Sequence, residues 1–278
     1  QLCADARHRR SQGIKPIMLL AIDVGNTQTV IGVYAHDGDT SLADGGLIGP
    51  WRLSTVHTRT EDELGVLITA LLRSANCPIE TIDGVAITSG VPVVTSALRH
   101  MVKKNMDFEP VVVGPGVKTG LAIRYDNPRE VGADRIANGA AVFDLYGGPS
   151  IVVDFGTATT VDVISAEGEY LGGSISPGVE ISLEALVGKA AALSTVELTE
   201  PRNVIGKNTG ESIRSGVLYG CAAMIDGLCA RFVEEIGECT VVATGGLAGM
   251  FAPHTKVVDE VEPWLTLHGL RLIWQKNQ

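Results

Sequence analysis

A short pattern that occurs twice does most to limit what this chain can become. Ile22-Asp23-Val24-Gly25-Asn26-Thr27-Gln28-Thr29-Val30 returns as Val153-Asp154-Phe155-Gly156-Thr157-Ala158-Thr159-Thr160-Val161. Each copy is an apolar run, Asp-x-Gly, a hydroxyl- or amide-bearing residue, then Thr-Val and a second apolar run. That order predicts a strand, a tight turn and a return strand, with Gly supplying backbone angles that other residues resist. Short side chains at the turn let N–H groups and Thr hydroxyls come close to a phosphate. The strand-ending Asp is suited to hold a metal ion or its water shell against that phosphate. One such turn is equally an ordinary hairpin. Two in one chain predict two similar lobes, each giving a phosphate loop to a nucleotide held between them.

Composition sets the frame for that reading. A chain of 278 residues, 45% hydrophobic, is long enough for two lobes with cores. Its mean hydropathy of +0.21 is spread along the chain. No apolar run reads as long enough to cross a bilayer, so the sequence predicts a soluble protein with no membrane partner. A formal net charge of -10 argues against nucleic acid as a partner, because backbone binding needs a positive surface. A small anion remains possible, held by local N–H groups and one or two Arg. The cysteines, Cys3, Cys77, Cys221, Cys229 and Cys239, form no C-x-x-C pair. They read as reduced thiols in a cytoplasmic protein. Residues 1–17 are polar and basic without periodicity, and are expected to be a disordered extension before Met18.

Along the chain, His36-Asp37-Gly38-Asp39 and Asp44-Gly45-Gly46 mark loops around a strand at Leu47 to Leu53. Thr60 to Glu63 is a capping box, and Leu64, Leu67, Ile68 and Leu71 form one helical stripe. A buried strand leads into Thr88-Ser89-Gly90-Val91-Pro92. A helix from about Thr95 to Asn105 and a strand at Val111 to Val113 follow. This alternation predicts an α/β layered fold. Gly147-Gly148-Pro149 divides the chain into lobes at 18–147 and 148–278. In the second lobe, helices are expected at about Val179 to Leu193 and Glu211 to Glu235. A strand Thr240 to Thr244 ends in Gly245-Gly246, where a flat ring has room to lie against backbone. The final amphipathic segment, Leu265 to Ile273, is expected to pack on the second lobe. Gly206-Lys207 resembles part of a P-loop but lacks its spacing and a preceding strand.

Gly132-Ala133-Asp134-Arg135 opens an Ala-rich helix that runs to about Leu145. Asp134 has two readings: an acid that compensates the helix dipole, or a general base beside a cation. Spacing alone does not decide between them.

Two phosphate turns followed by a strand ending in Gly-Gly resemble the actin, Hsp70 and sugar-kinase superfamily. Within it, the chain from Met18 onward is similar to the type III pantothenate kinases. The segments that carry the resemblance are Asp23 to Thr27, Tyr125-Asp126-Asn127-Pro128, Gly132 to Arg135, Asp154 to Ala158, Gly206-Lys207-Asn208-Thr209, Gly172-Gly173 with Pro177-Gly178, and Leu265 to Leu270.

The resemblance implies an α/β fold of two actin-like (ribonuclease H-like) lobes with a nucleotide cleft. It implies ATP-dependent phosphorylation of pantothenate to 4'-phosphopantothenate, the first step of coenzyme A biosynthesis. By the same resemblance, Asp23, Val24, Gly25, Asn26, Thr27, Gln28, Thr29, Val30 and Thr157 bind ATP, with Asp23 placing magnesium through water. Asp134 is the implied base. Tyr125, Gly132, Ala133, Asp134, Arg135 and Thr209 are implied to frame pantothenate, Thr209 from the neighbouring subunit of a homodimer. Asp154 is the implied ligand of a monovalent cation, potassium or ammonium, and Gly245-Gly246 lies near the adenine. Two alternatives stand beside this reading: a catalytically silent nucleotide-binding relative, and a kinase of the same fold for another small alcohol. Thr88-Ser89-Gly90 departs from the family pattern, and is expected to leave the acids untouched.

Overall fold

The computed structural model describes residues 18–35, 45–189 and 196–278. The extension expected at 1–17, the loop at His36–Asp39 with Asp44, and the end of the helix expected to reach Leu193 lie outside the described residues. The described chain forms two compact units. One comprises residues up to Leu121, Asp126–Ala141 and Trp264–Gln278; the other comprises Ala122–Tyr125 and Val142–Pro263.

The first unit is built on a five-stranded sheet. Its strands are β1 (Met18–Val24), β2 (Gln28–Ala35), β3 (Leu47–Ser54), β4 (Ile82–Ser89) and β5 (Val111–Val112), in the order β3-β2-β1-β4-β5. The first three form an antiparallel meander, and β4 and β5 add in parallel. Strand alternation sends Leu20, Ile22 and Val24 to one face, where they meet α1 (Glu61–Ser74) and α2 (Pro92–Met106). Thr60 caps α1 through the expected reciprocal bonds with Glu63. The opposite face presents Leu19, Ala21, Tyr34 and Ala86.

The second sheet adds β6 (Ala122–Ile123), β7 (Ser150–Phe155), β8 (Ala158–Ile164), β9 (Glu169–Pro177), β10 (Thr240–Thr244) and β11 (Glu260–Val261). Its order is β11-β10-β7-β8-β9-β6. Read from the other edge, a meander followed by two parallel strands repeats the first sheet, with β6 as an extra edge. The internal repeat seen in sequence is therefore a repeat of topology. Two residues suffice for β6 because Arg124 anchors it: its N–H donates to the Tyr170 carbonyl at 2.8 Å, and its guanidinium pairs with Glu169. Here α4 (Val179–Lys189), α5 (Thr209–Ile236) and the short α6 (Ala248–Phe251) follow the meander. Phe155, Leu218, Ile225 and Phe251 share this unit's core.

Two expectations need correction. The final helix, α7 (Leu265–Gln275), belongs to the first unit rather than the second. It covers the first sheet, placing Leu267, Leu270, Ile273 and Trp274 over β1 and β4. Its amphipathic stripe shows that it must pack, but carries no information about which sheet receives it. The second correction concerns α5, which is long and apolar enough, by length and composition alone, to span a membrane. Small residues spread through it kept its apolar character from view in the sequence.

Candidate active site

The turn after β1 is closed by Gly25 N–H donating to the Gln28 carbonyl at 2.9 Å. Thr55, just beyond β3, pins it from below. Its hydroxyl donates to the Gly25 carbonyl and also meets the Thr29 hydroxyl, each at 2.8 Å, while its N–H donates to the Thr27 carbonyl. Asn26, Thr27 and Gln28 are left exposed above this base, and Val24 is buried beneath it. A rigid turn with short outward side chains is the expected cradle for an anion.

Asp23, the penultimate residue of β1, lies on the face that α7 covers lower down. Sheet register pairs it with Val30 on one side and Thr88 on the other, and pairs Val30 in turn with Arg52. Directly opposed residues share a face. A row Arg52–Val30–Asp23–Thr88 therefore runs across four strands. The Thr88 hydroxyl donates to Asp23 Oδ1 at 2.8 Å. The expectation that the Thr88-Ser89-Gly90 segment leaves the acids untouched is thus overturned, for a reason of register alone. Burial and then the charge of Asp134 push the Asp23 carboxyl up to about 7, against the opposing pull of Thr88 and Arg52. An acid held against its ionisation beside a second acid suits a divalent cation, which relieves both penalties at once.

Asp134 stands in the first turn of α3 (Ala133–Tyr146), and its Oδ1 accepts the Arg135 N–H at 2.8 Å. That carboxylate folds back over Gly132, so a side chain there would displace it. Helix α7 fixes this end of α3. Thr266 donates to Asn138 Oδ1 at 2.8 Å, and Gly269 presses so close to the Ala137 carbonyl that a Cβ would collide. Asp134 itself is exposed, whereas Arg135 is only 6% exposed. The two neighbours in sequence thus part company in space, Asp134 to the surface and Arg135 to the interior.

In the second unit, the turn after β7 closes through Gly156 N–H to the Ala158 carbonyl at 3.1 Å. Gly178 donates to the Thr157 carbonyl, and the approach is too close for any side chain at Gly178. Asp154 lies against the backbone of Gly245, where a Cβ would stand 2.5 Å from its Oδ1. Tyr125, just past β6, tilts onto Tyr170 with ring centroids 6.3 Å apart, and the Tyr170 hydroxyl donates to buried Asp162 at 2.6 Å. Thr209 is exposed at the start of α5, whose first turn Asn208 caps through Glu211 N–H. Among the described residues no three His, Cys, Asp or Glu side chains converge as a metal cage. Magnesium bound by one carboxylate, water and phosphate oxygens needs none.

The sequence-predicted residues therefore fall into two groups. Asp23 to Val30 with Gly132, Ala133, Asp134 and Arg135 belong to the first unit; Tyr125, Asp154, Thr157, Thr209 and Gly245-Gly246 belong to the second. Sequence reasoning missed Thr55, Thr88 and Arg52. The available signal was a single cation inside an otherwise apolar strand, Leu47 to Leu53.

A family model for type III pantothenate kinase matches residues 19–231. A type III pantothenate kinase from Moorella thermoacetica is 48% identical over 262 residues, covering 94% of this chain and 100% of the relative. Another, from Streptomyces coelicolor, is 50% identical over 271 residues, covering 94% and 98%. Among solved structures, component A of (R)-2-hydroxyglutaryl-CoA dehydratase from Acidaminococcus fermentans is similar with a TM-score of 0.52 at 13% identity, over 94% of this chain and 97% of that one. That likeness is one of fold, the α/β architecture of the actin-like ATPases and sugar kinases.

Proposed function

The chain belongs to the type III pantothenate kinase family, and on that premise we propose how its residues carry the phosphorylation of pantothenate by ATP, the first step of coenzyme A synthesis. The observation that carries the assignment is the closed turn after β1, with Asp23 held at its foot by the Thr88 hydroxyl and Asp134 exposed in the same unit. The turn from Asp23 to Val30 holds the ATP phosphates through N–H groups and hydroxyls. Asp23 holds magnesium through its water shell, which supplies neutralising charge. Asp134 accepts the proton of the primary alcohol as its oxygen bonds to the γ-phosphorus. The bond from that phosphorus to the β–γ bridging oxygen breaks, and ADP leaves with the electron pair. Transfer of this kind is chiefly positioning and charge neutralisation, which a rigid turn and a fixed carboxylate supply.

In the second unit, Asp154 is the ligand for a potassium or ammonium ion, Thr157 touches ATP, and Gly245-Gly246 lies by the adenine. Tyr125, Gly132, Ala133 and Arg135 frame pantothenate. Thr209 acts from the second subunit of a cytoplasmic homodimer. Support for self-association comes from α5: over 28 residues it buries only Leu218, Ala222, Ile225 and Cys229, and Gly216, Gly220 and Gly227 have open space beside them.

The test is phosphorylation of pantothenate by purified protein in potassium and in sodium buffer. Turnover that needs potassium or ammonium supports reaction and cation site together. Turnover indifferent to the cation removes Asp154 from its role, and ATP binding without turnover points to a silent relative.

A further inference from the structure

We propose that Arg52 is a catalytic residue that grips the phosphoryl group in transfer, from the far end of the row that contains Asp23. The inference rests on the assignment of the turn after β1 to the ATP phosphates. Its own support is geometric. Arg52 and Asp23 flank Val30 on one sheet face, two strand spacings apart. At 4.7–4.9 Å per strand that separation is about 10 Å, and a long arginine side chain narrows it to the width of one phosphoryl group. Val30, half-buried and apolar, forms the floor of this gap and offers the phosphate oxygens no competing partner.

The guanidinium is held but not consumed. It stacks over Trp264, 5.1 Å from the ring centroid, at the start of α7. Its one hydrogen bond among the described residues runs from Nη1 to Gln28 Oε1 at 3.4 Å, a long contact to a side chain of the phosphate turn itself. Five N–H donors are available on a guanidinium, in a fork that matches two oxygens of a phosphate. The field of Arg52 reaches Asp23 and opposes the charge of Asp134 there. As the alcohol oxygen of pantothenate attacks and ADP departs, this fork accepts charge spread over the equatorial phosphoryl oxygens, and Asp23 would hold the magnesium that would supply further neutralising charge. Trp264 is a positioning residue in this scheme. It fixes the guanidinium plane and ties it to the same helix that braces Asp134.

The competing role for Arg52 is purely structural, a latch that closes the start of α7 onto the sheet edge. Steady-state kinetics and melting curves for Arg52→Ala, Arg52→Lys, Arg59→Ala and Asp23→Asn separate the two. Arg59 is a half-buried cation bonded to the Ser54 carbonyl, and controls for the loss of one charge. Expected for Arg52→Ala is a fall in kcat of roughly 10²- to 10³-fold, as for loss of one charge-stabilising donor, with KM for pantothenate within about threefold and the melting temperature kept. Arg52→Lys should regain only part, having charge without the fork. Free guanidinium ion should restore turnover to Arg52→Ala but not to Asp23→Asn. A kcat within about threefold of the parent in Arg52→Ala, with Asp23→Asn impaired, would overturn the inference and leave the phosphate turn standing. Normal turnover in both variants would remove the phosphate-turn assignment itself. A fall in kcat matched by a lower melting temperature and no guanidinium rescue would assign the latch role instead.

Discussion

The two Asp-x-Gly turns share the same spacing of Asp, Gly and Thr-Val in sequence, yet they are not the same object. In the first, Asp23 lies opposite Val30; in the second, Asp154 lies opposite Thr160, one place earlier in the shared pattern. The cause is visible in the closing bonds. Gly25 bonds to Gln28, three residues on, whereas Gly156 bonds to Ala158, two residues on. A one-residue change in pairing turns the return strand over, so the Thr of the common Thr-Val shares a face with the Asp only in the second copy. The first acid consequently sits beside an apolar residue, and burial with the charge of Asp134 pushes its carboxyl up to about 7. The second sits beside a hydroxyl and glycine backbone. The two turns share a sequence pattern, and a one-residue difference in closure sets an apolar residue opposite the acid in one and a hydroxyl opposite it in the other.

That contrast can be broken experimentally, and the largest effect belongs to the acid that accompanies only the first turn. Asp134→Asn should lower kcat by roughly two to four orders of magnitude with the melting temperature unchanged. Turnover near the parent's would deny it the role of base. Next comes Asp23. Its folded-state pKa lies above its ordinary value of 3.8, so the folded protein binds the proton more tightly than the unfolded chain. In metal-free protein this contribution to stability is present below about pH 4 and is lost as pH rises to about 7. Because Asp23 is only half-buried, the loss should be about 1–2 kcal/mol rather than the full value of the shift. Melting curves from pH 4 to 8 should show this decline, and Asp23→Asn should flatten it. An unchanged decline in the variant would place its origin elsewhere.

Smaller effects follow from the hydroxyls. Thr88→Val removes the bond to Asp23 Oδ1, so it should cost about 1–2 kcal/mol at pH 8, where the acid is ionised, and less at pH 5. Equal costs at both pH values would mean that the bond does not favour the charged form. Thr160→Val imposes the first turn's residue on the second. The Thr160 hydroxyl bonds to Asp162 Oδ2 at 2.9 Å rather than to Asp154, so the change should cost about 1 kcal/mol and leave magnesium dependence untouched.

Much of this molecule is legible in its sequence because its signals are local. The repeated turns, the Thr60 capping box and the alternating faces of β1 and β7 each follow from neighbours within a few residues. The contacts that complete the first turn are not of that kind. Thr55 on Gly25, Thr88 on Asp23 and Trp264 on Arg52 join residues far apart in the chain, and depend on strand order and register. The difference between the two turns was hidden for the opposite reason, since identical spacing concealed a change in pairing. Even β6 escaped notice, for two residues hold no periodicity.

The placement of α7 bears on how the protein is made. The first unit's sheet leaves the ribosome before the second unit, but the helix that covers its second face leaves after it. Eight of that helix's eleven residues are buried: Leu265, Leu267, His268, Gly269, Leu270, Arg271, Ile273 and Trp274. Throughout synthesis of the intervening unit, Leu19, Ala21 and Ala86 therefore wait uncovered, and the brace for Asp134 is missing. A nascent chain halted at Pro263 should bind a hydrophobic dye that the finished protein excludes. The duplicated architecture looks as though its halves could mature one after the other, yet the half begun first is the one finished last.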